Sequence, residues 1–132
     1  MHEAGQDFKR DKGTEKDGEK MDGQSIFAER ERIKNSLNES LKRAYNSGME
    51  YAEKNRQYRM KLAQKIMELK ADGLQISIIE KVARGDEKVA QAEFEMIAAE
   101  VSYRASNENI MAKKKEFESV EADIKREFYI KD

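Results

Sequence analysis

The sequence predicts an all-α protein, a long antiparallel helical hairpin of the coiled-coil type with a short corner helix. Two segments, residues 25–71 and 86–128, run uninterrupted in helix-forming residues, and the chain of 132 residues contains no proline. Aspartate–glycine and glycine–aspartate pairs enclose the corner between them, residues 72–86. Apolar residues also recur at seven-residue spacing in both halves, as in helices that coil around each other. We therefore expect two long helices folded back on each other.

Residues 1–24 predict a disordered, charged tail. They contain four glycines and twelve Asp, Glu, Lys or Arg residues, with Phe8 and Met21 as the sizeable apolar side chains. Such a segment cannot bury enough apolar surface to offset the entropy of ordering it. We therefore predict a single helical-hairpin domain over residues 25–132.

The first long helix is predicted over residues 25–71. Ser25 or Asp22 can accept the free amide hydrogens of the first turn, and Gly73 can take the left-handed conformation that ends a helix. Its predicted seam consists of Ile33, Leu37, Leu41, Ala44, Gly48, Tyr51, Asn55, Tyr58, Leu62, Ile66 and Leu69. Two members are unusual: Gly48 predicts a close approach or a bend, and Asn55 predicts a polar contact that fixes the register.

The corner, residues 72–86, is predicted to contain a short helix over residues 77–84. Ser77 and Glu80 match the capping box, in which a serine caps the helix and a glutamate three residues on caps the serine amide. Asp86 then caps the second long helix. The apolar residues expected to plug the end of the hairpin are Ile76, Ile79 and Val82.

The second long helix, residues 86–128, has the most regular spacing in the chain. One seam position is Met96, Tyr103, Ile110, Phe117 and Ile124, and the other is Ala92, Ala99, Ser106, Lys113 and Val120. The bulky end of this helix, up to Phe128, should pack against Ile26, Phe27 and Ile33. Residues 25–71 carry eleven basic and six acidic residues, whereas residues 72–132 carry ten and fourteen, so flanking ion pairs should favour the antiparallel order.

Two helices leave several apolar side chains off the seam, and these form a candidate protein interface. They are Tyr45, Met49, Met60, Met67, Phe94, Ile97, Val101 and Met111. Apolar surface of this extent needs cover. We therefore expect a homo-oligomer, a four-helix or larger bundle, and in addition a partner protein.

The sequence offers no catalytic or metal-binding arrangement. The chain has one histidine, His2, and no cysteine, so a Ser-His-Asp triad, a thiol nucleophile and a His or Cys metal site lack their residues. Acidic pairs on long helices are typical of solvated surface. We therefore expect no enzyme activity, catalytic residue, metal, cofactor or small-molecule substrate.

Nucleic-acid binding through a basic face of the first helix is the alternative function. Its candidate residues are Lys54, Arg56, Tyr58, Arg59, Lys61, Lys113, Lys114 and Lys115. Lysine and arginine neutralise phosphates while an aromatic ring stacks on bases. At 100° per residue, however, the basic residues of the first helix do not share one narrow face, and the formal net charge of the chain is −1. The glycine turn at the corner also suggests a helix-turn-helix, although its second helix offers few side chains for base recognition.

No membrane span is expected. The longest purely apolar run, Met96–Ala99, is far shorter than the roughly 20 residues that a transmembrane helix needs. The first residues are charged and lack the apolar core of a signal peptide. The expected location is the cytoplasm, with which the absence of cysteine is compatible.

Four short motifs in the second half of the chain carry a family resemblance. They are Leu69 with Gly73, Arg84-Gly85-Asp86, Ala99-Glu100 with Tyr103, and Lys125-Arg126-Glu127. This half resembles a group of small, mostly uncharacterised helical proteins of phages and prophages of Gram-positive bacteria, in which such a turn, corner, A-E-x-x-Y stretch and terminal helix recur. The resemblance implies a phage accessory protein in a bacterial host that contacts a host or phage protein and modulates or inhibits host replication, recombination or defence machinery.

Overall fold

The computed structural model describes residues 23–129, and every regular element within them is a helix. The elements are α1 (Gly23–Ala71), α2 (Ile76–Arg84), α3 (Glu87–Ile124) and a π-helical turn (Lys125–Tyr129). α1 packs against α3, and α2 lies between them along the chain, so the predicted all-α hairpin is confirmed. Of the predicted disordered tail, residues 1–22 lie outside the described residues. Residues 23 and 24 belong to α1, so the predicted start of the first long helix at residue 25 is wrong by two residues.

Two compact units make up the described hairpin. One consists of residues 37–112, and the other combines residues 23–36 with residues 113–129. The prediction of a single domain over residues 25–132 and the prediction of a homo-oligomer stay predictions.

Helix α1 ends as the glycine at the corner predicts. Gly73 has a positive φ of 89°, which residues with a Cβ rarely adopt. The Gly73 amide donates to the Lys70 carbonyl and the Leu74 amide to the Leu69 carbonyl, both at 3.0 Å. These two hydrogen bonds define a Schellman motif, which satisfies carbonyls that the helix end would otherwise leave free.

Helix α2 begins one residue before the predicted helix 77–84, and its predicted capping box is wrong. The N-cap is Gln75, with the extended backbone (φ −67°, ψ 139°) that an N-cap requires, and its side chain makes no capping hydrogen bond. Ser77 already lies inside the first helical turn. The helix starts here because the Gln75 carbonyl accepts the Ile78 amide at 3.2 Å.

One face of α2 is buried, and it is narrower than predicted. Ile79 and Ala83, four residues apart and therefore on the same face, are buried in the hairpin. Ile76 is 75% exposed and Val82 is also exposed. The prediction that three apolar side chains plug the corner is therefore confirmed for Ile79 and wrong for the other two.

The start of α3 is capped by Asp86, as predicted. Its Oδ2 accepts the Lys88 amide at 3.1 Å and the Val89 amide at 3.2 Å. Its Oδ1 lies 3.4 Å from Lys65 Nζ on α1. The Val89 amide and, after it, the Lys65 ammonium lower the pKa of the Asp86 carboxyl. One side chain thus begins α3 and ties it to α1.

The predicted seam is confirmed along the whole of α3, where all ten predicted positions are buried or half-buried. On α1, Leu41 is the exception, because it is 44% exposed. Ser40 lies in the seam instead and is 2% exposed. Seven residues after the buried Ile33 comes position 40 and not position 41. Leu41 is predicted to lie in the seam because it is apolar, and that prediction is wrong.

Residues 23–36 and 113–129 form an apolar unit of their own. Ile26, Ile33 and Ile124 are buried within it. The rings of Phe27 and Phe128 lie 5.7 Å apart between centroids, within the range of favourable aromatic pairs. The predicted packing between the start of the first long helix and the end of the second is therefore confirmed.

Candidate interaction surface

Polar contacts set the register between α1 and α3 in residues 37–112. Ser40 Oγ donates to Asn109 Oδ1 at 2.7 Å, and the hydroxyls of Ser47 and Ser106 lie 3.3 Å apart. Because Ser40 is buried, a shift in register would leave its hydroxyl without an acceptor, which is costly. Sequence reasoning missed Ser40 and Asn109, since neither is apolar.

Asn55 does not take the predicted role in the register. Its Oδ1 accepts a hydrogen bond from Arg59 Nε at 3.2 Å, one turn further along the same helix. One position before it, Lys54 Nζ lies 3.2 Å from Glu95 Oε1 on α3. A polar contact across the hairpin therefore exists at this level, but Lys54 makes it.

Gly48 marks a close approach between the two long helices, as predicted. A Cβ at this position would lie 2.9 Å from Tyr103 Cε1. The Tyr103 ring also stacks on Tyr51, with centroids 6.2 Å apart. Glycine therefore leaves room for a pair of tyrosines inside the seam.

The eight residues of the candidate protein interface are all exposed, with exposed fractions between 47% and 69%. Four lie on α1 (Tyr45, Met49, Met60 and Met67) and four on α3 (Phe94, Ile97, Val101 and Met111). Their exposure agrees with their predicted place off the seam. Their role as an interface stays a prediction.

Most of these residues belong to two apolar stripes, one on each long helix. We call Leu41, Tyr45, Met49, Met60 and Met67 the α1 stripe, and Ala90, Phe94, Ile97, Val101 and Ala105 the α3 stripe; every member is exposed. At 100° per residue the α3 stripe lies about 180° from the seam positions of α3, and the α1 stripe lies about 120° from those of α1. Each long helix thus has a second apolar face that its partner helix leaves uncovered.

Small side chains border the α3 stripe on one side. An open groove of about 340 Å³ runs between the two long helices there, and Phe94, Ala98 and Ser102 contribute to its lining from α3. Ala98 and Ala105 are exposed. Another chain can therefore approach α3 closely along this edge.

Charged residues border the opposite edge of the α3 stripe. Glu93 Oε2 lies 2.9 Å from Arg84 on α2, and this carboxylate, followed by Tyr58, raises the pKa of the Arg84 guanidinium. Arg104 lies 2.7 Å from Glu100, one turn back on the same helix. Both ion pairs are at least partly exposed to solvent.

Half of the eight candidate nucleic-acid residues are engaged by acidic or polar side chains. Arg56 lies 2.7 Å from Glu53 and lowers the pKa of that carboxyl, and Lys113 lies 3.9 Å from Glu116. Lys54 and Arg59 make the contacts described above, and Tyr58 is half-buried. Among residues 23–129, the exposed candidates that make no ion pair within 4 Å are Arg59, Lys61, Lys114 and Lys115. The structure therefore does not assemble these eight residues into one basic surface within either unit.

Across residues 23–129, no three His, Asp or Glu side chains are grouped so that they could hold a metal ion. None of the helices in this range has the length and apolar character needed to cross a membrane.

No protein-family model, curated protein or solved structure matches the chain. The resemblance to helical phage proteins therefore depends on the four short motifs alone and stays a prediction.

Proposed function

We propose that this chain is a non-enzymatic accessory protein of phage type that self-associates and acts by contact with a host or phage protein. The proposed effect is to modulate or inhibit host replication, recombination or defence machinery. The observation that carries the proposal is the second apolar face on each long helix. Exposed apolar surface bordered by polar residues is characteristic of protein interaction sites.

The α1 stripe is suited to a partner protein because it is rich in methionine. Met49, Met60 and Met67 are all exposed along it. Methionine has an unbranched, polarisable side chain that adapts to partners of different shape, and it is common on adaptable binding surfaces. The α1 stripe is therefore our proposed binding face for the host or phage protein.

Affinity capture from a lysate of a Gram-positive bacterium tests this proposal. The stripe variant is Tyr45→Gln with Met49→Gln, and its matched control is Glu39→Gln with Asn46→Gln, which changes two exposed polar residues in the same part of α1. All four changes are on the surface and should alter the free energy of unfolding by less than about 0.5 kcal/mol each. Circular dichroism checks that both variants remain helical.

The expected result is a protein that the wild type and the control retain and the stripe variant loses. Purification of that protein and titration against the three chains would then give its affinity directly. Equal retention by the stripe variant, or retention of no protein by the wild type, would overturn the proposal.

Nucleic-acid binding is the competing function. Titration of labelled single-stranded and duplex DNA at about 50 mM and 200 mM salt separates the two, because phosphate contacts lose affinity steeply over this range. We expect no binding at either salt concentration, since acidic neighbours neutralise Lys54, Arg56 and Lys113. Salt-sensitive binding that Lys61→Gln weakens would favour the nucleic-acid function instead.

A further inference from the structure

We infer that the α3 stripe is the site of self-association and that a second copy of this chain occupies it, with the two α3 helices antiparallel about a two-fold axis near Ala98. The inference deepens the proposed function, because it assigns the self-association to one face. It leaves the α1 stripe free for the partner protein.

Shape is the first reason for this arrangement. Large side chains of the stripe have small neighbours one turn away: Phe94 lies next to Ala98 on the border of the stripe, and Val101 lies next to Ala105. An antiparallel alignment that places Phe94 against Ala105 of the second copy also places Val101 against Ala98 of the second copy. Large residues thus meet small ones at each level, which is the condition for close packing between helices. A second groove, to whose lining Ser102 and Ala105 contribute, gives the ring of Phe94 from the second copy a place to enter.

Charge is the second reason. Glu93 and Arg104 lie on the same edge of the stripe, eleven positions apart in the sequence. The antiparallel alignment brings Arg104 within one turn of Glu93 of the second copy, and the two-fold axis repeats this pair. A parallel two-fold pair would instead place this charged edge opposite the small-residue edge of the second copy, where neither Glu93 nor Arg104 meets an opposite charge. Opposite charges that face each other therefore favour the antiparallel register.

The two-fold arrangement also explains why the α3 stripe and not the α1 stripe is shared between copies. Arg56 lies between Met49 and Met60 in the middle of the α1 stripe, so a symmetric α1–α1 pair would have to bury a charged side chain. A head-to-tail pair of α1 with α3 of the next copy would leave a free stripe at each end and would grow without closing. The α3–α3 pair uses the same stripe on both copies and closes as a dimer.

Sedimentation velocity tests whether the α3 stripe is the face that self-associates. We expect the wild type to be a dimer at micromolar concentration, and Phe94→Gln with Val101→Gln to raise the dissociation constant by about tenfold or more. Tyr45→Gln with Met49→Gln is the matched control, because it removes exposed apolar side chains of the other stripe and should leave the dimer unchanged. Assemblies that grow past a dimer with concentration would indicate the head-to-tail arrangement and overturn the inference.

Disulfide mapping tests the alignment independently of stability, because the chain contains no cysteine. Ala98→Cys should cross-link to itself under mild oxidation, since position 98 lies near the axis. Ala90→Cys should not, because its counterpart would be about 27 Å away along the helix at 1.5 Å per residue, well beyond the reach of a disulfide. A mixture of Ala90→Cys with Glu108→Cys should cross-link as a heterodimer.

Self-linking of Ala90→Cys would show a parallel pair and overturn the inference, as would a wild type that stays monomeric at micromolar concentration. A parallel pair would leave the proposed function intact. A monomeric wild type would remove the self-association from it but not the contact with a host or phage protein, because capture by the α1 stripe is measured separately. Conversely, a dimer that maps to α3 and captures no partner would overturn the proposed function and leave this inference intact.

Discussion

Replacement of Gly48 by alanine has two opposing effects on the free energy of unfolding, one from helix preference and one from packing. Glycine in a helix interior costs about 1 kcal/mol relative to alanine, so the change favours α1 taken alone. The new methyl group, however, would lie 2.9 Å from Tyr103 Cε1, whereas ordinary contacts begin at 3.4 Å. The Tyr103 ring must therefore move by about 0.5 Å, and it is already stacked on Tyr51. Overpacking of this kind lowers the free energy of unfolding by about 1–3 kcal/mol.

The expected net effect of Gly48→Ala is therefore a loss of about 1 kcal/mol in the free energy of unfolding. With Tyr103→Leu as the background, the ring is absent and the helix preference remains, so the same change should stabilise the protein by about 1 kcal/mol. The double-mutant cycle should give a coupling energy of about 2 kcal/mol between positions 48 and 103.

Urea denaturation followed by circular dichroism measures all four free energies. The protein concentration must be the same in each experiment, because self-association makes apparent stability depend on concentration. If Gly48→Ala stabilises the wild type as much as it stabilises the Tyr103→Leu variant, then the ring does not restrict this position and the reasoning is refuted.

The remaining predictions concern the seam, the corner and pH. Ser40→Ala should lower the free energy of unfolding by about 1 kcal/mol, because the exposed Asn109 side chain can then hydrogen-bond to water. Asn109→Ala should lower it by about 1–3 kcal/mol, because it removes the acceptor of the buried Ser40 hydroxyl. A lower urea midpoint for Ser40→Ala than for Asn109→Ala would contradict this. Gly73→Ala should destabilise the protein by about 1–2 kcal/mol, because position 73 has a positive φ. Gly85→Ala should stabilise it by about 0.4–1 kcal/mol in the same assay, because φ is −84° and the new Cβ would lie 3.5 Å or more from its neighbours. The pKa of the Asp86 carboxyl is lowered by the amide that it caps, so its contribution to stability is present above its ordinary pKa of 3.8 and is lost as the pH falls through the folded value. Asp86→Asn keeps a capping side chain, and its melting temperature should lie below that of the wild type at neutral pH and approach it in acid; a constant difference across that range would exclude the charge as the cause.

The seam of α3 could be predicted residue by residue because one of its two heptad positions carries a sizeable apolar side chain at every repeat. The spacing of seven between Met96, Tyr103 and Ile110 fixes which face of the helix forms the seam. Ser40 could not be predicted in the same way, since a serine in a charged helix reads as a surface residue. The heptad counted from Ile33 does lead to position 40, but the hydrogen bond of Ser40 to Asn109 joins residues 69 positions apart, and no local pattern encodes it.

The two predicted N-caps, Ser77 and Asp86, show when a local sequence pattern is sufficient to predict a helix start. Asp86 follows a glycine that ends the preceding helix, so one residue is free to take the N-cap position. Ser77 had no such boundary before it, because Ile76 and Ser77 both belong to the first turn of a helix whose N-cap is Gln75. The serine and glutamate spacing of a capping box therefore occurred inside a helix, where it caps nothing.

The two exposed stripes differ in the kind of side chain they carry, and this difference bears on their uses. Ile97 and Val101 on α3 are β-branched and stiff, so they fit a surface of fixed shape, and a second copy of the same chain always presents the same shape. Methionines such as Met49 and Met60 on α1 can repack against different shapes. A chain with both stripes could hold itself as a defined dimer through α3 and still adapt to a partner through α1. Substitutions in one stripe should then leave the binding at the other unchanged, because energetic effects of well-separated sites add.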